Sequence, residues 1–421
     1  MHKRLWHILG PIFCAHLLVV VVVLFFPNSY RSTIEEEKKD AVALSSISFK
    51  SRHKKNRALS NPEHRFVPFF GSSEWLRFDS MHPSVLASAY QRSYTPYLLG
   101  QRGASSLTQY FGMQQMRSHL KDSQAIYIIS PQWFSRRGEG SDAFEQYFSS
   151  DQAISFLQTN VGDDYEQYAA KRFLELKSSC SLTHMLQKVA NKEKLTDFDR
   201  LQLQWQGYFL DRQDALFSRF PDTGSNLELV KSKAAKLPKT FSYDRLVDVA
   251  NSEGRRATQS NDFQIDDTFY KNRLKSRIQK FKHSQTKLSY LQSPEYNDLQ
   301  LVLNEFAKYR TNVLFVIPPV NGRWMNYTGL NKDMYQATVA KIKHQLTSQG
   351  FSHIADLSEQ GNVDYFMQDT IHIGWRGWLE LDRYINPFLT EKQPPVHYHI
   401  NKAFLTPEWA KYKGKVEQFL K

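Results

Sequence analysis

The sequence predicts an α/β fold built on a central parallel sheet. Three observations predict it. Short apolar runs of strand length alternate with amphipathic helical segments, the runs end in Gly, Ser or Pro turns, and the alternation stops in mid-chain and later resumes.

In chain order, Arg65 to Phe70 (RFVPFF) reads as the first strand. It breaks at Gly71 into Ser72, Ser73 and Glu74, and a helical pattern follows. A serine hydroxyl is thereby offered at the carboxyl end of a strand, where α/β sheets carry their chemistry. Pro83 to Tyr90 reads as a short helix with Pro near its start, and Pro96 to Leu99 as a second strand ending in Gly100-Gln-Arg-Gly103. Ser106 to Leu120 has helical periodicity, and Ala125 to Ile129 is a strand running into Ser130-Pro-Gln-Trp-Phe134. From about 141 to 290 strand-like runs vanish, which predicts a mostly helical insertion. Phe198 to Phe220 is its clearest helix, and Pro221 to Asn226 and Asn251 to Asn261 read as loops. The sheet pattern resumes with a helix from Pro294 to Tyr309, a buried strand from Val313 to Ile317 stopped by Pro318-Pro319, and a helix from Lys332 to Thr347. Phe351 to Leu357 is the last strand. Asp369 and His372 follow in a loop, ahead of a helix from Trp375 to Leu389, and an irregular tail packs through aromatics.

A chain of 421 residues with 41% hydrophobic and 14% aromatic content is long and apolar enough to bury a large core, which excludes a disordered class. The formal charge of +13 favours polyanionic partners. Ile8 to Phe26 is an uncharged apolar run of about one bilayer crossing. No small-x-small cleavage signal follows it, so residues 1–30 read as an uncleaved signal anchor, and Lys3 and Arg4 place the amino terminus inside. Residues 31–60, with KSRHKKNR, read as a polar linker, and 61–421 as a single-pass membrane protein's extracytoplasmic domain. That topology excludes nucleic acid. Cys14 lies in the apolar run and Cys180 in the body, so no disulfide or Cys metal cluster forms within the domain. No metal or cofactor is expected.

A serine attacks an acyl carbon when a base takes its proton and donors hold the oxyanion. Ser73 supplies the hydroxyl, with a following helix to favour developing charge, and Asp369-x-x-His372 supplies base and orienter. Each motif alone is weak. One after the first strand and one after the last, they reinforce each other.

This arrangement resembles the SGNH (GDSL-like) hydrolases, a flavodoxin-like three-layer sandwich. FFGSSEWLRFDSMHPSVLA, PYLLGQRGASSLTQYFGMQQM, SPQWF, VIPPVNGRWMNYTGL and MQDTIHIGWRGWLELD resemble the DltD family more closely still. The resemblance implies transfer of a D-alanyl ester to lipoteichoic acid at the outer membrane face in Gram-positive cell-wall D-alanylation. It also implies the membrane O-acyltransferase DltB and a carrier protein as donor partners. By the same resemblance, Ser73 is the nucleophile, Asp369 and His372 complete its triad, and Gly103 offers an oxyanion N–H. The chain departs from ordinary SGNH enzymes in two places: Ser72 replaces the aspartate of GDS, and Gly-x-Asn-Asp is absent, with Gln132 after the third strand as a candidate to donate its amide where the asparagine would. These departures weigh against hydrolysis more than against acyl transfer. A surface esterase or thioesterase, and a non-catalytic module presenting a carrier or polymer, are the alternative readings. Trp133, Trp375 and Trp378 are candidates to wall the site or to pack the core. Arg323 and Arg376 are candidates for polymer phosphate or for solvated surface, and His397 with His399 reads as a satisfied or exposed pair rather than a metal site.

Overall fold

The computed structural model describes residues 2–25, 30–177 and 180–420. Its centre is a five-stranded parallel sheet: β1 (Phe66–Gly71), β2 (Thr95–Gly100), β3 (Gln124–Ile128), β4 (Asn312–Ile317) and β5 (Ile354–Asp356), ordered β2-β1-β3-β4-β5. This is the flavodoxin-like order, in which the direction of strand addition reverses between β1 and β3 and leaves a crevice at the carboxyl ends of those strands. Register is tight: Phe70 pairs with Leu99 on one side and Tyr127 on the other.

Burial on both faces explains why the strands read as continuous apolar runs. Alternate residues enter two separate cores, with Phe70, Tyr127 and Phe315 on one face and Phe69, Ile126 and Val316 on the other. Helices at Ser106–Met113 and Glu295–Lys308 cover the first face through Leu107, Phe111, Leu299 and Phe306. Those at Pro83–Ala89 and Trp375–Thr390 cover the second through Leu86, Trp378 and Ile385. The result is a three-layer sandwich.

Several expectations are corrected. The helix expected from Ser106 to Leu120 breaks after Met113, because Gln115 and Arg117 are drawn into buried hydrogen bonds with Lys55 and Glu305. The loop expected at 251–261 is largely helix, Tyr243–Ala257, with Gly254 set against the Tyr365 ring. The polar linker at 31–60 is three helices, Ile34–Ala41, Ser46–Lys50 and Arg52–Leu59, packed on the body. Two cations of its basic cluster are buried because each finds partners there. Lys54 Nζ donates to Asp40 (2.6 Å) and the Phe220 carbonyl (3.0 Å), and Lys55 Nζ to the Phe49 carbonyl (2.7 Å) and Gln115 (2.6 Å). Between β3 and β4 the described residues hold helices and loops and no strand.

At the amino end, His2–Phe25 forms one continuous helix, α1. Among the described residues no helix is long and apolar enough to cross a membrane, so the expected transmembrane helix is not established by the fold. The expected absence of a cleavage signal falls mostly on 26–29, outside the described residues.

Candidate functional site

β1 ends at Gly71, and the amide of Gln109 donates to the carbonyls of Gly71 (2.5 Å) and Leu99 (2.8 Å), tying the carboxyl ends of β1 and β2 together. Opposite Gly71 stands Gly100, where a Cβ would collide with the Ser72 carbonyl and the Trp75 ring. Glycine there lets the chain after β1 cross close to β2. Ser73 follows, half-buried, and opens a single 3-10 turn, Ser73–Leu76, instead of the expected helix. The physical reason is Glu74. Its buried carboxylate accepts from the Ser72 N–H (2.7 Å) and from the Ser130 hydroxyl at the end of β3 (2.5 Å), holding the turn across the β1/β3 gap. Support from an α-helix dipole is therefore not available to Ser73.

The partners come from a tight hairpin after β5. The Gln368 N–H donates to the His372 carbonyl (2.9 Å), and Met367 bridges Ile373. Inside this hairpin Asp369 Oδ1 accepts from the backbone N–H groups of Ile371 and His372, both at 3.0 Å. His372 Nδ1 lies 2.9 and 2.8 Å from the two Asp369 oxygens, and Nε2 lies 2.8 Å from Ser73 Oγ. With Nδ1–H donating to the carboxylate, the Nε2 lone pair faces the serine hydroxyl. Asp369 and His372 are buried, at 1% and 7% exposure. Burial pushes the Asp369 carboxyl up. The charge and hydrogen bond of His372, then the Arg77 guanidinium and the Ile371 N–H, more than offset this and hold it well below the usual carboxylate range.

Arg77 is a member of this group that sequence reasoning missed. Its Nε and Nη2 lie 2.9 and 2.7 Å from Asp369 Oδ2, Nη2 lies 3.4 Å from His372 Nδ1, and the guanidinium sits 5.8 Å from the Phe269 ring centre. Trp378 Nε1 donates to the Arg77 carbonyl (3.0 Å), and Trp378 itself is stacked on Trp75 in the core. No motif marks Arg77; only its place four residues after Ser73, in a segment already singled out, offered a signal. Glu74 stood inside the same segment, but its structural partner Ser130 is distant in sequence.

Gly103 and Gln132 lie in the loops after β2 and β3, on the sheet edge that carries Ser73. Gly103 is exposed with φ of +79°, a left-handed turn that favours glycine. Among the described residues, neither hydrogen-bonds to Ser73, His372 or Asp369. Trp133 is half-buried against Tyr127, and Trp375 is buried. Arg323 pairs with Asp364 (2.8 Å) and Arg376 reaches Asn251 (3.3 Å). His397 and His399 are exposed, and among the described residues no cluster of three or more His, Cys, Asp or Glu side chains is arranged to hold a metal.

Fold and site define a flavodoxin-like α/β protein with a serine–histidine–aspartate group at the switch point of its sheet. A model of the DltD protein family matches residues 41–390. The chain is 42% identical to Protein DltD of Lacticaseibacillus rhamnosus, across 97% of this chain and 96% of that protein. It is 31% identical to Protein DltD of Bacillus subtilis (92% and 98%) and 26% identical to that of Staphylococcus aureus (90% and 95%). The chain belongs to the DltD family.

Proposed function

We propose that this protein transfers a D-alanyl group to the glycerol phosphate units of lipoteichoic acid at the outer face of the membrane, as a step in D-alanylation of teichoic acids. Family membership supports the pathway. The observation that carries the chemistry is the 2.8 Å approach of Ser73 Oγ to His372 Nε2, with Asp369 behind the ring.

Ser73 Oγ attacks the carbonyl carbon of a D-alanyl ester or thioester, and its proton passes to His372 Nε2. Asp369 stabilises the imidazolium. Collapse breaks the bond to the donor's sulfur or oxygen, which leaves with the proton from His372, and Ser73 holds the alanyl ester. A glycerol hydroxyl of the polymer then attacks, gives its proton to His372, and Ser73 Oγ recovers that proton as it departs. The Gly103 N–H and the Gln132 amide are the assigned donors to the oxyanion. The donor side is the Dlt system's membrane O-acyltransferase and carrier protein, and the +13 charge suits a polyanionic acceptor. Residues 1–30 anchor the protein by a single pass with the amino terminus inside. Support for this is the apolar run behind Lys3 and Arg4, and the exposure of Leu17, Leu18 and Val19, which calls for a non-aqueous surrounding.

The test is Ser73→Ala in cells. Wall D-alanine should fall to the level of a deletion strain while the folded protein stays in the membrane, and the purified parent protein exposed to donor components should carry an alanyl adduct on Ser73. Normal alanylation by Ser73→Ala would overturn the mechanism and favour the presenting module. A second reading, an esterase or thioesterase with water as acceptor, draws on the half-buried position of Ser73, which water can reach. Turnover of simple esters that is indifferent to added teichoic acid would favour it.

A further inference from the structure

The helix Asp197–Phe217, here α2, is apolar on two opposite sides. Leu203 is buried against the body on one side, while Phe198, Leu201, Trp205, Tyr208 and Phe209 stand exposed on the other. A spacing of i, i+3, i+7, i+10 and i+11 puts those five side chains on one stripe. Phe198 is 74% exposed and Trp205 66%, far more than a chance surface aromatic presents to water.

A second exposed apolar surface adjoins α2. α1 packs on α2, and its Leu18, Val19 and Phe25 are exposed as well. Where the chain leaves α1, the Tyr30 ring lies 5.0 Å from the Arg219 guanidinium, just past the end of α2, and Arg212 sits 5.0 Å over the Tyr208 ring on the stripe itself. Trp and Tyr interleaved with Arg is the composition of a membrane–water interface. Three of the four carboxylates of α2 are directed elsewhere, Asp197 at its first residue being exposed. Asp211 and Asp214 bond His53 on the body (3.0 and 2.8 Å), and Asp199 pairs with Lys188 (2.6 Å).

From this geometry we infer that α2 is a second membrane-contact element, lying in the interface of an anionic bilayer with its 198–209 stripe against the acyl chains. The inference rests on the reading of α1, which packs on α2, as an anchor, and α2 would hold the body down on the lipid surface rather than leave it swinging on a tether. The experiment uses the full chain with Cys14 and Cys180 replaced by serine, reconstituted in phosphatidylglycerol/phosphatidylcholine vesicles. A nitroxide is placed in turn by Leu201→Cys, Val20→Cys and Leu288→Cys, the last being an exposed position in a segment that bonds the backbone of Tyr327 and Thr328. The ratio of accessibility to oxygen over a water-soluble nickel chelate should be several-fold higher at 201 than at 288. An aqueous ratio at 201 overturns the inference, whatever 20 reports. Loss of access to both probes at 201 also overturns it, and assigns the stripe to a protein contact. An aqueous ratio at 20 with a lipid ratio at 201 would remove the anchor and leave α2 as the contact.

Discussion

Glu74 offers the sharpest test of how the serine turn is held. Glu74→Ala removes two hydrogen bonds to a carboxylate, each worth about 1.5–3 kcal/mol, and strands their donors. Those donors, the Ser72 N–H and the Ser130 hydroxyl, belong to residues only 3% and 0% exposed, so water does not readily replace the lost acceptor. The sum is about 3–6 kcal/mol, a large part of the ~5–15 kcal/mol that keeps a domain folded. Glu74→Gln has nearly the same shape. Its carbonyl oxygen can accept from Ser72 and its amide can donate to Ser130 Oγ, so only the charge-assisted part, about 1 kcal/mol, is lost. Urea unfolding measures the stability arm. Labelling of Ser73 by a fluorophosphonate measures the positional arm, because a shift of ~1 Å in a reacting group costs about a hundredfold in rate. If Glu74→Ala lies within about 1 kcal/mol of the parent and labels at the parental rate, the turn is not held by this carboxylate and the reasoning fails.

Two further predictions concern charge and pH. Asp369 is held well below the ordinary carboxylate value, so its pairing stabilises the fold above the unfolded value of about 4 and that contribution is lost as pH falls through the depressed one. Arg77→Met should therefore be less stable than the parent near neutral pH, with the gap persisting through the unfolded carboxylate value and closing only as pH falls through the depressed native one; coincident urea midpoints at about pH 6 would contradict this. Asp79 has the opposite sign. Burial pushes its carboxyl up to about 7, its Oδ2 has no hydrogen-bond partner among the described residues, and Oδ1 accepts from the Met81 N–H (2.8 Å). A raised carboxyl costs stability progressively from about pH 4 to about pH 7, so Asp79→Asn, which keeps the Met81 bond, should gain on the parent by a few kcal/mol across that window. A gain independent of pH would rule out titration of Asp79 as its source.

Local, periodic information was legible in the chain. Alternation of apolar runs and amphipathic segments marked all five strands to within a few residues, because strands buried on both faces must be apolar throughout. Asp369 and His372 were legible as a pair because the hairpin that joins them spans only three residues. Composition misled where burial was compensated by partners distant in sequence: Lys54 and Lys55 read as solvated cations until Asp40, Gln115 and the carbonyls of Phe49 and Phe220 met them.

What the chain determined by itself, then, was the kind of sheet, the serine at its strand end and the Asp-x-x-His motif as its candidate base and orienter, since all of these are written in contiguous residues. Tertiary structure alone decided the rest. The order β2-β1-β3-β4-β5 opened the crevice, the hairpin after β5 carried His372 to a serine 299 residues away, and Arg77 entered against Asp369. Glu74 turned an expected helix into one short turn. Those outcomes depend on which surfaces pack together, and pairing between distant residues leaves no periodic trace in either segment.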